Sequence, residues 1–371
     1  MADKKRNQIF NYLYVMAIIM VIDDHTSTRI GFLASVFPYN SFYMPLFVFI
    51  SGYFFKSSGI VDNIKHKTRK LLIPYVIWNI VAAAIACILD KFIGTNWITK
   101  PSLRQILETF ISGSLTSLNG ASWFVIMLFW ISIGYNLLRN ILKDGIVNDI
   151  ILTISHLLLG FISLYLCVNG YYSRGTLWVF ALKIAFYIQF FHYGYMFKKY
   201  IEQRLLRVNK VIVCSICIAI NVLLTVIYGS EINFYATSAM ASFHYWYLPV
   251  ITSATGIIFY YEVMEFLARK IGQNPLVDFI SRNTFVIMQI HLLFVNIPNF
   301  YVYFQILNGS IKYADFDINR FINGAWVRYS PNSRLVGFFC GLLGSLLVAW
   351  ILEWLKKKWK NSRIKNIPIA E

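Results

Sequence analysis

Charge is scarce in this sequence, and negative charge scarcest of all. Only 14% of the 371 residues are Asp, Glu, Lys or Arg, where soluble domains carry about 25%. Acidic residues number 17 against 34 basic ones. Proline, at 9, and cysteine, at 5, are also few. The shortage of charge excludes an ordinary cytosolic enzyme and a disordered chain, because one soluble core of this length cannot hide the apolar residues that remain. The cysteines (Cys87, Cys167, Cys214, Cys217, Cys340) all lie within apolar runs. That excludes a disulfide-stapled secreted scaffold, and Cys214-x-x-Cys217 reads as small apolar residues in lipid or packed protein. No Walker loop, Rossmann fingerprint, G-x-S-x-G, HExxH or H-x-x-x-H occurs, and no metal is expected.

What the chain has in abundance is apolar sequence, 58% of residues, with a mean hydropathy of +0.58. A spanning helix needs about 20 mostly apolar residues. Ten such runs lie near residues 9–31, 41–55, 71–92, 121–138, 149–168, 178–197, 211–228, 245–266, 284–305 and 334–354. The first lacks a small-residue cleavage site after it and reads as a retained span, not a signal peptide. The expected fold is an all-α polytopic membrane bundle of about ten transmembrane helices. It forms a single domain over residues 1–371, with short tails at 1–8 and 355–371. Pro249 and Pro298 interrupt the eighth and ninth runs, as membrane helices tolerate when neighbours satisfy the freed carbonyls.

Placing both termini in the cytoplasm puts 24 of the 34 Lys and Arg on the inner side and nine on the outer, with Lys183 inside a span. This is the positive-inside asymmetry of an integral membrane protein, and the expected location is a bacterial plasma membrane. The formal charge of +17 is then an orientation signal and a surface for anionic lipid, and no nucleic-acid partner is needed to explain it. Two outer segments are long, roughly 93–120 and 306–333. Leu103, Ile106, Leu107, Phe110 and Ile111 recur at helical spacing in the first, as an interfacial helix would. The second either covers a substrate entrance or is a solvated loop.

An ionisable side chain at membrane depth is costly and faces a cavity or a partner. Asp23, Asp24 and His25 interrupt the first run toward its outer half. Lys183 sits at comparable depth in the sixth, so an ion pair between it and Asp23 or Asp24 is one expectation. His156, Gln189, His192, Gln289 and His291 form a second polar set. His25 stands apart because carboxylates flank it. An imidazole with a fixed tautomer can act as a general base toward a hydroxyl; the other reading is a polar helix end that hydrates the interface. The run Lys65-His66-Lys67-Thr68-Arg69-Lys70 before Pro74 either holds the phosphates of a cytosolic cofactor or anchors the inner face.

These pieces form a pattern: Asp23-Asp24-His25 closing the first span, Tyr43-Met44-Pro45-Leu46-Phe47-Val48-Phe49-Ile50-Ser51-Gly52-Tyr53 as the second, the basic run leading to Leu71-Leu72-Ile73-Pro74-Tyr75, then Ser122-Trp123-Phe124, and Thr284 to His291 in the ninth. The chain resembles the acyltransferase-3 family of integral membrane acyltransferases, and most closely its fucose 4-O-acetylase-like branch, over nearly its whole length. The resemblance implies transfer of an acetyl group from cytosolic acetyl-CoA to a hydroxyl of a cell-surface polysaccharide or its lipid-linked precursor. It implies a catalytic His25, oriented or charge-balanced by Asp24 or Asp23. It assigns donor contacts to Tyr14, Lys67, Arg69, Lys70, Trp123 and His291, and motif roles to Ser51, Gly52 and Tyr53. Two positions depart from the pattern. Tyr14 stands where many members carry Arg, on the face of His25 three turns earlier, and Gln289 stands where Tyr is frequent. The alternative function is a secondary transporter or lipid-linked glycan flippase that uses the buried Asp, His and Lys as a proton relay, although no internal repeat of the transporter kind is present.

Overall fold

The computed structural model describes residues 7–26, 36–37, 41–98, 102–232, 238–313, 315–326 and 331–365. Arg29 and the end of the first predicted span lie outside the described residues. The helices are α1 (Gln8–Thr26), α2 (Tyr43–Tyr53), α3 (Ile60–Lys67), α4 (Ile73–Ile93), α5 (Leu103–Ser112), α6 (Trp123–Ile141), α7 (Ile146–Val168), α8 (Thr176–Met196), α9 (Lys210–Tyr228), α10 (Leu248–Ile271), α11 (Pro275–Val295), α12 (Ile297–Leu307), α13 (Ile318–Asn323) and α14 (Pro331–Lys365). Among the described residues there is no strand. The all-α polytopic bundle expected from composition is what forms.

Among the described residues, eight helical stretches are long and apolar enough to cross a membrane. The other two predicted spans correspond to α2 and α8. Helix α2 has eleven residues, about 16 Å at 1.5 Å per residue. It lies antiparallel to α1 and matches it end to end through its terminal tyrosines. Tyr43 Oη donates to Asp24 Oδ2 (3.0 Å) at one end, and Asn7 Nδ2 donates to Tyr53 Oη (3.5 Å) at the other. Helix α8 carries Lys183, Gln189 and His192, which lower its apolarity but are all buried in the bundle.

Two span limits differ from those read in the sequence. The sequence places the start of the third span near residue 71, after the basic run. That run is itself helical, and one stretch of 34 residues runs from Ile60 to Ile93 through a π-turn at Thr68–Leu72. Pro74 supplies the reason: it offers no N–H to the carbonyl four residues back and its ring crowds that carbonyl, and the wider turn just before it relieves both problems. At the other end of the chain, α14 continues to Lys365, so much of the segment assigned to a C-terminal tail is helix.

The core is built around α1 and α2, which are apolar on nearly every face and correspondingly buried. Helix α2 crosses α8 at backbone contact. A Cβ on Gly52 would fall 1.8 Å from the Phe191 carbonyl oxygen, and one on Gly194 would fall 1.9 Å from that of Phe49. Small residues permit such approach between helices in lipid. Gly52→Ala must therefore separate α2 from α8, and a loss of about 1–3 kcal/mol is expected, the usual cost of overpacking; thermal unfolding in detergent reads it, and an unchanged midpoint would contradict this contact. Next to the crossing, Tyr53 and Tyr261 both donate to the Glu202 carboxylate (2.8 and 3.1 Å). Ser51 Oγ donates to the Phe47 carbonyl within its own helix (2.9 Å). The Ser51-Gly52-Tyr53 string thus serves helix packing in this fold.

A smaller second core gathers Ala86, Trp97, Leu118, Val302, Tyr303, Phe316, Phe321 and Ala325. It joins the end of α4 to α12, α13 and the two long segments between spans. Trp97 Nε1 donates to the Phe321 carbonyl (2.9 Å), and Tyr303 Oη donates to that of Ile93 (3.0 Å). The described parts of these segments therefore form a folded lobe, and the second is not merely a solvated loop. The lobe meets the bundle at a helix break between α11 and α12, where Asn296 Nδ2 donates to the carbonyls of Leu292 (2.7 Å) and Ala325 (2.8 Å).

The polar set of α7 and α8 is knitted into the bundle at the other end of α6. Asp149, with a fully buried side chain, accepts from Arg139 Nη1 (2.5 Å), Lys199 Nζ (2.8 Å) and Tyr200 Oη (2.7 Å). His192 lies between Tyr135 Oη (2.9 Å) and Thr153 Oγ1 (2.8 Å), and His156 Nδ1 donates to the Leu152 carbonyl (2.6 Å). Gln189 donates to the Phe186 carbonyl (2.8 Å) and fills the space over Gly160. These histidines hold helices together and do not reach the cavity described next.

Candidate active site

Helix α1 remains regular through Thr26, whose hydroxyl donates back to the carbonyls of Ile22 and Asp23 (3.1 and 3.0 Å). Its last turn delivers Asp24 and His25 to a cavity of about 390 Å³, a size typical of small-molecule sites. Tyr43 and Met44 open α2 on one wall. Ala121 and Trp123 line another, Met288 a third, and Ser238 and Trp326 come from the segments between spans.

The central feature is a pair of imidazoles. His25 Nδ1 lies 2.6 Å from His291 Nε2, with the rings inclined by only 10° and their centroids 4.8 Å apart. The hydrogen-bond network fixes the tautomers. His291 Nδ1 lies 2.9 Å from the Met288 carbonyl and 3.2 Å from that of Ile287. A carbonyl can only accept, so His291 Nδ1 carries the proton, and in the neutral ring Nε2 is the acceptor. His25 Nδ1 must then donate to it, which makes Nε2 the basic nitrogen of His25. A buried residue on α11 thereby selects the tautomer of a half-buried residue on α1.

Of the residues singled out in the sequence, the structure brings His25, Asp24, Trp123 and His291 together. Asp24 accepts from Tyr43 Oη at the cavity wall (3.0 Å). Asp23 is buried and does not line it. Lys183 stands one layer behind: its Nζ lies 4.9 Å from the centroid of the Trp123 ring. No ion pair joins it to Asp23 or Asp24 among the described residues, because the face of an indole receives the ammonium in their place. Gln289 accepts from Ser122 Oγ (2.5 Å) and so ties the helix that bears His291 to the turn that presents Trp123.

The remaining candidates lie elsewhere. Tyr14 is half-buried against Phe47, with centroids 6.1 Å apart, and does not line the cavity. Eleven residues of helix separate it from His25, about 16 Å. Ser51, Gly52 and Tyr53 occupy the far end of α2. Lys67 is half-buried, while Arg69 and Lys70 are exposed. This segment packs along α6, beyond the contact of Ser58 with Asn136 near the C-terminal end of α6 (3.2 Å), whereas the cavity adjoins the N-terminal end. Sequence reasoning did not single out Trp326 or Tyr43 as site residues. Tyr43 was visible as the first residue of the second motif, but nothing local in the 306–333 segment says that Trp326 folds back onto His25.

An imidazole pair of set tautomer, in a cavity within a bundle of membrane-spanning helices, suits an integral membrane enzyme that moves protons during group transfer. The family model described as an acyltransferase domain matches residues 7–354, and the chain belongs to this acyltransferase-3 family of membrane acyltransferases. A search of curated proteins and a search of solved structures each found no match.

Proposed function

We propose that the protein is an O-acetyltransferase of the bacterial plasma membrane that moves an acetyl group from cytosolic acetyl-CoA to a hydroxyl of a cell-surface polysaccharide or its lipid-linked precursor. The observation that carries this reading is the His25–His291 pair, which leaves His25 Nε2 as a base at the cavity. His25 removes the proton of the acceptor hydroxyl. The acceptor oxygen bonds to the thioester carbonyl carbon, the carbon–sulfur bond breaks, and the proton passes from His25 to the departing CoA thiolate. General-base assistance of this kind contributes about 10²–10⁴ in rate. Asp24 balances the imidazolium charge that forms transiently, and Trp123 and His291 wall the path of the acyl arm. The exposed cations Arg69 and Lys70, with Lys67, suit the phosphates of the donor on the cytoplasmic side, in the orientation that places both termini inside. The sequence motifs favour the fucose 4-O-acetylase-like branch of the family. Proton NMR of envelope polysaccharide from cells with and without the gene tests the proposal. O-acetyl methyl signals should be lost with the gene, and an unaltered acetylation pattern would overturn it.

A further inference from the structure

We propose that Trp326 is the platform on which the ring of the sugar acceptor stacks while its hydroxyl is held at His25. Trp326 is 45% exposed, so its ring stays accessible although it stands beside His25. Its ring centroid lies 5.1 Å from that of His25, with the planes at 70°, and it lines the same cavity as Asp24 and Tyr43.

The position of this ring is built into the fold. The preceding residue, Ala325, is completely buried in the second core. Its carbonyl accepts from Asn296 Nδ2 (2.8 Å), and its amide donates to Ser117 Oγ (3.4 Å). Asn296 terminates the helix that carries His291, so one side chain fixes both the end of that helix and the backbone beside Trp326. On the bundle side the indole lies against Gly120, where a Cβ would fall 2.1 Å from Trp326 Cζ2. The glycine gives the ring its seat.

An aromatic face beside hydrogen-bonding groups has a definite complement: a ligand with one flat C–H face and a rim of hydroxyls. Apolar and aromatic walls with a few placed polar groups are how small-molecule sites fix orientation. A pyranose ring fits that description. Its axial C–H bonds lie on the indole, and its hydroxyls reach Asp24, Tyr43 and the basic nitrogen of His25. The linear pantetheine arm of the donor has no flat face to offer. The assignment rests on the acetyltransferase reading and adds to it the residue that orients the acceptor.

The test uses the full-length protein in detergent, acetyl-CoA as donor, and methyl glucoside, methyl galactoside and methyl fucoside as acceptor probes, with glycerol as an acyclic comparison. Trp326→Ala should raise the KM for a pyranoside about tenfold, within the range that aromatic stacking of a flat ring supplies elsewhere, with the KM for acetyl-CoA unmoved. Trp326→Phe should recover most of the loss. Gly120→Val, which evicts the indole without deleting it, should shift pyranoside KM in the same direction. Trp354→Ala, on α14, serves as the control. An equal loss toward glycerol, a shift in the KM for acetyl-CoA alone, or no shift at all would overturn the platform. A second readout separates the two claims. The fluorescence difference between the unaltered protein and Trp326→Phe reports pyranoside binding with no donor present. Quenching without acetyl transfer keeps the platform and removes the acetyltransferase reading; transfer indifferent to Trp326 does the reverse.

Discussion

His25→Ala is expected to lower acetyl transfer by about 10²–10⁴-fold, the contribution of a positioned general base, while the protein still purifies as a folded bundle. His25 is half-buried at the end of α1, and its removal leaves the apolar contacts of that helix in place. His291 acts through His25 in this scheme, so His291→Ala should also be slow. There the base survives, but the acceptor that sets its tautomer is gone. The two losses should not add. Groups that work as one unit give a double variant about as slow as the worse single one. Acetyl-CoA consumption by the purified variants, with thermal unfolding as the control for folding, decides the matter. Transfer at the unaltered rate in His25→Ala, or fully additive losses in the double variant, would remove the imidazole pair from the mechanism.

The largest effect on stability is expected at Asp149, far from this chemistry. Its carboxylate is completely buried and meets Arg139, whose side chain is 1% exposed, as well as Lys199 and Tyr200. Removing one partner of such a pair strands a buried charge, at a cost of about 3–5 kcal/mol. Asp149→Ala should lose that much, seen as a lowered unfolding midpoint in detergent. The cost belongs to the stranded cation and not to the lost contact. Asp149→Leu combined with Arg139→Met should therefore recover much of the stability, because an apolar replacement of the whole pair avoids the uncompensated charge. A double variant less stable than both single ones would argue that the network is held for its geometry alone.

The helical bundle was legible because lipid leaves few solutions: runs of about 20 apolar residues become helices. His25 and His291 stood out in the sequence for the same reason, since a polar group in such a run needs a destination. Their contact with each other was not legible, because spacing along the chain says nothing about which helices are neighbours. The Lys183 expectation failed on the same point. Equal depth is readable, but the ring of Trp123 lies beside the ammonium and the sequence does not show it. The third span was placed after the cations near Pro74 because charge usually marks the end of a span; the π-turn that carries the helix through is a local response to proline. Arg139 and Asp149 were hidden by lying at the ends of neighbouring spans, where charges are ordinarily solvated. Trp326 is invisible for a different reason. Its place is set by Asn296, Ser117 and Gly120, residues dispersed along the chain that only the folded lobe brings together.

The paired imidazoles also bear on how the protein is made. They lie 266 positions apart, on the first helix of the bundle and on one near the end. At about 5–20 residues per second, a ribosome completes the first long before it reaches the second. Throughout that interval the membrane holds a growing chain that is anchored and partly packed but still lacks His291. A stalled or truncated product therefore cannot acquire the pair. The pair is therefore completed late and in one step, with the insertion of α11, which carries His291.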